Sequence, residues 1–401
     1  MKIVHIITSL KIGGAESALV NFLTYAQRYD QAYDKEHHVI YFHAGPNVQA
    51  IKNLQIPTYH ISGVISYCDP LALYRLYKLI RSIKPNIIHS SLWSANIIGR
   101  VFARYLKIPI ICDLHGDCTQ EGFIRNFFDR YTVSWADSII AVSDIVKSKY
   151  LKNIILKPKA SHAKNKLLHE NMAQRVITIK NGIDAEALVT KATQEPLSRH
   201  DIGLNSHDFI IGAIGRLEPI KSYDLLVQAF ALMLKRTTPE IIEKYGAPKL
   251  CIIGDGSEIS KIQNLIKLLG LTNHVILTGF RTDAYRFYPL FDCFALSSQS
   301  EGLSIALLEA LSFGLPIVTT HTNTEHEVIT HAINGLLVPI NSPEKLAQAL
   351  IKIYFDKNLR TTIAQTNKIL VQDAFDLTTN VQKYLTIYKE LSKKKSTLEI
   401  L

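Results

Sequence analysis

Cysteine is scarce. The five residues Cys68, Cys112, Cys118, Cys251 and Cys293 are odd in number and lack metal-site spacing, so reduced thiols are expected rather than disulfides or zinc. Long apolar runs are missing too: the most apolar stretch, residues 302–318, is broken by Glu309, Gly314 and Pro316, which leaves no candidate transmembrane span. The opening Met1-Lys2-Ile3-Val4-His5-Ile6-Ile7 is too short a run for a secretory signal and reads as a first strand. These absences lead to the expectation of a cytoplasmic protein. Zinc-finger, basic-zipper and aromatic-basic RNA patterns are all lacking, which argues against nucleic acid as a partner. The stretch Gly13-Gly14-Ala15-Glu16 lacks the Gly-x-Gly-x-x-Gly spacing, so a dinucleotide-dependent dehydrogenase is disfavoured.

What is present is a chain of 401 residues, 47% of them hydrophobic, enough for two sizeable cores. Its net charge of +10 is unevenly spread. Residues 1–200 hold 25 Lys and Arg against 15 Asp and Glu, whereas residues 201–401 hold 20 of each. The excess in the first half points to an anionic partner such as a phospholipid surface, a lipid diphosphate or an acidic glycan.

Short Ile- and Val-rich runs alternate with helical periodicity, the pattern of parallel sheets with crossover helices. Strands are expected at residues 2–7, 38–42, 87–89, 108–113, 139–142 and 176–179, then at 209–214, 249–253, 275–278, 293–296 and 316–319. Helices are expected at 16–29, 70–83 and 94–105, and at 222–235, 257–269 and 305–312. The fold class is therefore α/β, with two Rossmann-like doubly wound halves. Periodicity lapses over residues 190–208, where Pro196, Gly203 and Asn205 punctuate the chain. This gives an N-terminal domain of residues 1–195 and a C-terminal domain of residues 206–375. In open parallel sheets the ligand lies at the carboxyl ends of the strands, and the motifs below all fall at such ends.

Glu301-Gly302-Leu303-Ser304-Ile305-Ala306-Leu307-Leu308-Glu309 reads as a strand-to-helix turn flanked by two carboxylates. The first amides of a helix lack internal partners and its dipole favours negative charge, so the turn suits an anion while the carboxylates suit hydroxyls. Phosphate beside hydroxyls describes a nucleotide sugar. Upstream, Gly215-Arg216-Leu217-Glu218-Pro219-Ile220-Lys221 follows the apolar run 209–214. Arg216 and Lys221 there are either surface cations or a clamp for a diphosphate. No Asp-x-Asp pair occurs, so no metal is required and no cofactor is expected beyond the nucleotide sugar as co-substrate.

These elements, with Pro85-Asn86-Ile87-Ile88-His89, Asp113-Leu114-His115-Gly116, residues 136–143, Ile179-Lys180-Asn181-Gly182-Ile183-Asp184, Ile252-Ile253-Gly254-Asp255-Gly256, Thr278-Gly279-Phe280 and Gly314-Leu315-Pro316-Ile317-Val318, resemble the retaining glycosyltransferases of family four (GT4). The resemblance covers nearly the whole chain, in the family's order. It implies the GT-B fold, two domains facing across a cleft, with a last helix (residues 376–401) crossing back to the first domain. It implies that Glu309 holds ribose hydroxyls, that Glu301 contacts the donor sugar, and that the base lies near Gly279, Phe280 and Arg281, with Gly254 and Gly256 allowing close approach. Those glycines also suit tight turns that serve packing alone. Gly302, Leu303, Ser304 and Ile305 form the phosphate turn. His115 resembles the histidine that approaches donor sugar and phosphate, although a loop histidine bonded to backbone has the same signature. Gly14 opens a helix where an amide can approach phosphate or acceptor. The catalytic set is His115, Arg216, Lys221 and Glu301.

The implied activity is retaining transfer of a hexosyl or N-acetylhexosaminyl group from a UDP-sugar, or secondarily GDP-mannose, to a glycan or lipid-linked acceptor in envelope polysaccharide or lipopolysaccharide synthesis. A same-fold nucleotide-sugar epimerase and a catalytically silent sugar-nucleotide binding protein stay open. Retention in this family is explained by front-face attack without a protein nucleophile; Asp113 and Asp117, flanking His115, leave a conventional base open. Ser304 stands where relatives often have Pro, and Glu327 matches the family's later acidic position without the usual preceding glycines. Residues 152–175 form a basic insertion outside the family pattern, either a solvated loop or an acceptor- or membrane-contacting one. The expected location is cytoplasmic, peripheral on the inner face of the membrane.

Overall fold

The computed structural model describes residues 1–29, 35–62, 69–116, 122–155, 166–322 and 324–400. Asp117, Cys68, Cys118 and residues 156–165 of the basic insertion lie outside this set. The chain divides into two compact units, residues 1–182 with 377–401, and residues 183–376.

The first unit is built on seven parallel strands, β1 (Lys2–Ser9), β2 (Glu36–His43), β3 (Thr58–His60), β4 (Ile87–Ser91), β5 (Ile110–Leu114), β6 (Ser138–Ala141) and β7 (Val176–Thr178), in the order β3-β2-β1-β4-β5-β6-β7. Both faces of the sheet are covered, which is why its strands read as unbroken Ile/Val runs. Alternation sends Val4, Ile6, Ile40, Ile88, Ile110 and Ile139 to one core, against helices Pro70–Ile83 and Trp93–Leu106. Ile3, Ile7, Val39, Ile87, Ile111 and Ile140 go to the other, against helices Gly14–Tyr29 and Leu377–Ile400. Helix Pro70–Ile83 shows how local signals fix an element: Asp69 accepts from the amides of Leu71 (2.9 Å) and Ala72 (3.3 Å), Pro70 opens the first turn, and Lys84 closes it in the left-handed region.

The second unit has six parallel strands, β8 (Phe209–Ile214), β9 (Pro248–Ile253), β10 (Val275–Leu277), β11 (Cys293–Leu296), β12 (Ile317–Thr320) and β13 (Leu336–Val338), ordered β10-β9-β8-β11-β12-β13. This is the doubly wound order of the dinucleotide-binding fold, and the first unit repeats it with one further strand. The sequence did not announce β3 and β13; each is a three-residue edge strand, too short to show a period.

The units divide at residues 182/183, earlier than the expected break at 190–208. The Ile183 amide bonds the Phe375 carbonyl (2.8 Å), and Arg286 holds the carbonyls of Glu195 (2.7 Å) and Pro196 (2.8 Å). The loop-like composition of residues 195–208 therefore belongs inside the second unit. Cys112, Cys251 and Cys293 are buried free thiols, and burial raises the pKa of each.

Candidate active site

In the second unit the sheet order reverses between β8 and β11, and the loops leaving these two strands are bonded to each other. Ser297 Oγ donates to the Lys221 carbonyl (2.8 Å), the Gln299 amide to the Ile220 carbonyl (2.8 Å), and Gln299 Nε2 to Ser222 Oγ (3.0 Å). Ser222 is left-handed, with φ 47°, and turns the chain so that Lys221 faces the β11 loop. There the Lys221 ammonium pairs with the Glu301 carboxylate, and Ser298 Oγ donates to Glu301 Oε1 at 2.6 Å. Crevices at such switch points are where open α/β sheets bind ligands.

Ser304 caps helix Ile305–Ser312 by accepting from the Leu307 amide at 3.4 Å, so the serine that replaces the usual proline still opens the helix. Gly302, Leu303 and Ile305 are buried in the turn. One helical step on, Glu309 accepts from the Tyr288 hydroxyl at 2.6 Å; burial pushes its carboxyl up to about 7, and the Tyr288 bond opposes that shift.

Gly254 and Gly256 make close approaches to the chain's own backbone. A Cβ at Gly254 would lie 1.9 Å from the Gly215 carbonyl oxygen, and one at Gly256 2.5 Å from that of Leu217. The glycines thus let the β9 loop press on the loop that carries Arg216. Gly279, with φ +70°, accepts from the Gly254 amide at 2.9 Å and brings in the β10 loop. Phe280 is partly exposed. Arg281 is forked onto Asp283 (2.8 and 2.7 Å) and lies over the Phe287 ring. Arg216 is exposed and forms no ion pair with a described residue; the structure brings Lys221 and Glu301 together and leaves Arg216 apart from them.

Sequence reasoning missed Glu325. Of the two acids in the turn Glu325–Glu327, the buried one is Glu325, 2% exposed, whereas Glu327 was matched to the family's acidic position. Burial first, and then the charge of Glu301, push the Glu325 carboxyl up to about 8. Thr324 Oγ1 links the two segments, donating to the Glu301 carbonyl at 3.1 Å. Two acids two residues apart gave no sequence signal for which one turns inward.

In the first unit the carboxyl ends of β1, β4 and β5 gather a second polar cluster. Asp113 Oδ2 takes a bond from His89 Nε2 (2.8 Å) and one from Ser91 (3.3 Å), and lies 3.8 Å from His115 Nε2. Tyr384 donates to Asp113 Oδ1 (3.3 Å), and Tyr388 bonds His89 Nδ1 (2.6 Å). A singly protonated His89 giving its Nε2 proton to Asp113 must accept from Tyr388 at Nδ1. His115 is a side-chain partner of this cluster, not a loop histidine bonded to backbone, and burial lowers its pKa against the opposing pull of Asp113. A cavity lined by His115, Asp113, Phe22, Asn181, Asn380 and Tyr384 opens beside it. At the start of helix Gly14–Tyr29, Gly14 faces open space, and Glu16 is buried with Ser9 Oγ donating to it at 2.6 Å. Among the described residues no group of three or more His, Cys, Asp or Glu is arranged to hold a metal.

Two doubly wound units of parallel strands, each with polar groups gathered at its strand ends, are the architecture of the GT-B class. Residues 12–165 match the family model Glycosyltransferase Family 4, and residues 194–369 match Glycosyl transferases group 1. The chain belongs to the GT4-related glycosyltransferases. It is 24% identical over 333 residues to the Escherichia coli UDP-Gal:alpha-D-GlcNAc-diphosphoundecaprenol alpha-1,3-galactosyltransferase, covering 80% of each chain. It is 23% identical over 316 residues to the capsular polysaccharide biosynthesis glycosyltransferase CapM of Staphylococcus aureus, covering 77% of this chain and 78% of that one. The crystal structure of Anabaena HepE in complex with UDP and glucose shares its fold, with a TM-score of 0.78 at 20% identity over 97% of this chain and 100% of that one.

Proposed function

We propose that the protein transfers a hexosyl or N-acetylhexosaminyl group, with retention, from a UDP-sugar to a glycan or lipid-linked acceptor in envelope polysaccharide or lipopolysaccharide synthesis, working at an anionic membrane surface. GDP-mannose is the second donor. The observation that carries this reading is the Lys221–Glu301 pair at the opening of helix Ile305–Ser312, on the switch point of the second sheet. A diphosphate arriving there exchanges Glu301 for phosphate at the Lys221 ammonium and meets the opening turn of the helix, whose dipole favours an anion. A protonated Glu325 keeps the pocket from repelling that anion, because Lys221 and Glu301 then sum to no net charge. Arg216, on the same loop, supplies the second cation. Glu301, released from Lys221, faces the sugar, and Glu309 takes ribose hydroxyls in place of Tyr288. Gly279, Phe280 and Arg281 border the base.

UDP as first donor is supported by relatives: the E. coli galactosyltransferase is named for UDP-Gal, and the HepE structure holds UDP. In front-face attack the leaving phosphate accepts the acceptor's proton, so the catalytic groups are those that stabilise charge: Lys221, Arg216, Glu301 and His115.

A thermal-shift panel of UDP- and GDP-sugars tests the donor. A ligand at one hundred times its dissociation constant stabilises by about 2.7 kcal/mol, and UDP-sugars are expected to give the largest shift. No shift across the panel overturns UDP- and GDP-sugars as ligands, a shift without turnover returns the chain to the silent-binding alternative, and conversion of donor alone into an epimer overturns the transferase reading.

A further inference from the structure

Helix Gly122–Thr132 is amphipathic in the reverse sense. A surface helix ordinarily turns its apolar stripe inward and its charges out; this one buries Asp129 and exposes Phe123 (82%), Ile124 (70%), Phe127 (55%) and Phe128 (44%). The buried side is held by polar bonds. Fully buried Arg100 pairs with Asp129, and Tyr150 donates to Asp129 at 2.8 Å. Arg130 is tied to the Asn153 carbonyl at 2.7 and 3.0 Å. The outward phenylalanines are therefore carried on a helix whose buried side is anchored by polar bonds.

The two helices beside it continue this face. Helices Gly122–Thr132, Trp93–Leu106 and Pro70–Ile83 neighbour one another on the same side of the sheet, the last two joined by Tyr77 against Tyr105 and Phe102. Tyr105 is 71% and Tyr74 52% exposed. Charge on the three helices is of one sign outward. Arg75, Lys78, Arg81, Arg104 and Arg125 are exposed, with Lys84 and Lys107 at the C-terminal ends and Asp69 capping one N-terminus, and the sole acid within the three helices is buried Asp129. Several cations lie over rings, Lys78 on Tyr74 at 4.9 Å and Arg125 on Trp93 at 5.1 Å.

We propose that this three-helix face is an interfacial docking surface for an anionic lipid bilayer, with the Phe123–Phe128 ridge entering the acyl boundary and the cations meeting phosphate headgroups. This deepens the membrane-side reading above and rests on it. Exposed apolar residues rimmed by basic and aromatic ones are what interfacial insertion requires. Charge excludes a second copy as occupant, because an isologous contact would set this cationic face against itself. No described helix is long and apolar enough to cross the membrane, so contact through this face is parallel to the bilayer plane.

Co-sedimentation of the full chain with vesicles tests the surface. The parent is expected to bind phosphatidylglycerol/phosphatidylcholine vesicles and to bind phosphatidylcholine alone much more weakly. Phe123→Ser/Phe127→Ser should lower partitioning by about tenfold or more. Arg75→Gln/Lys78→Gln/Arg81→Gln should remove most of the phosphatidylglycerol preference. Both variants should keep the parent's UDP-sugar thermal shift, so loss of that shift in the parent fails the donor reading while leaving the surface standing. The surface is overturned if the parent ignores anionic vesicles, or if the phenylalanine variant binds them as the parent does. Binding that survives those substitutions and vanishes on deletion of residues 156–165 assigns the contact to the basic insertion and likewise overturns it, as does a dimer in sedimentation velocity that the same substitutions dissolve.

Discussion

The two domains wind their strands in the same order, yet they bury opposite forms of acid and base. The first keeps imidazoles uncharged, each with a single proton: His5 and His37 bond one another at 2.9 Å in the core, and burial holds His37 down to about 3 and His5 well below its usual range. The second keeps carboxyls with theirs, Glu309 at about 7 and Glu325 at about 8, again chiefly through burial. A shared topology fixes where strand ends meet and leaves open which charge is tolerated there. On the proposed function the difference has a use: carboxyls that have given up their charge would repel an arriving diphosphate less.

The largest expected effect breaks the first domain alone. Asp129→Ala leaves the buried Arg100 guanidinium without its carboxylate, and removing one member of such a pair costs about 3–5 kcal/mol. Calorimetry should show the first domain's transition falling, with the second domain's UDP-sugar stabilisation intact. Equal loss in both domains would mean that they do not unfold as separate units.

The reverse perturbation is Lys221→Ala. By analogy with other preorganised anion sites it should cost roughly 3–4 kcal/mol of barrier, or about a hundredfold to a thousandfold in kcat, and it should lower the second domain's transition while leaving the first domain's in place, because Glu301 loses its ammonium partner. Initial rates at saturating donor measure it. Activity within about tenfold of the parent removes Lys221 from the clamp.

Acid and base should separate the domains further. Glu325 has a folded pKa raised from 4.5 to about 8, so the folded state holds its proton where the unfolded chain has lost it. Its stability contribution is full below pH 4.5 and declines as pH rises towards 8. His37 runs the other way: with its folded pKa lowered from 6.5 to about 3, the contribution is full above 6.5 and declines as pH falls towards 3. Melting across pH 3–9 should therefore show the first domain weakening as pH falls from 6.5 towards 3 and the second weakening as pH rises from 4.5 towards 8. Glu325→Gln should flatten only the second domain's slope between pH 4.5 and about 8; a slope that persists assigns it to another group.

Much of this was legible in the chain because it is carried by local pattern. Ile/Val runs mark strands buried on both faces, and Asp69-Pro70 or Ser304 mark helix starts through bonds to amides two and three residues on. That Lys221 and Glu301 come together was legible because each lies in the loop that leaves a strand of the same parallel sheet. Other features depend on contacts that spacing does not encode. The turn 325–327 conceals which glutamate faces inward until packing decides it. Helix Gly122–Thr132 defeats the inward-apolar rule because a polar anchor from Arg100 and Tyr150 replaces the apolar one. Residues 190–208 look like a linker, but the Arg286 guanidinium, donating to the carbonyls of Glu195 and Pro196, holds them in the second domain.

The C-terminal helix is the plainest case of such long-range dependence, and it yields the smallest of the predicted effects. Tyr388 bonds His89 at 2.6 Å, and Tyr384 bonds Asp113 at 3.3 Å, from sequence separations of 299 and 271 residues. Tyr388 is fully buried, so Tyr388→Phe leaves one ring nitrogen of His89 without a partner. The cost should be about 1 kcal/mol, that of an ordinary hydrogen bond, read in the first domain's transition. Tyr384→Phe should cost less, since its bond is near the outer limit of useful length. If the tyrosines only pack, the two substitutions will be equal and kcat will not move. If they orient Asp113 towards His115, Tyr388→Phe should lower kcat more than it raises KM, because the tautomer of His89 is then no longer fixed by its second nitrogen.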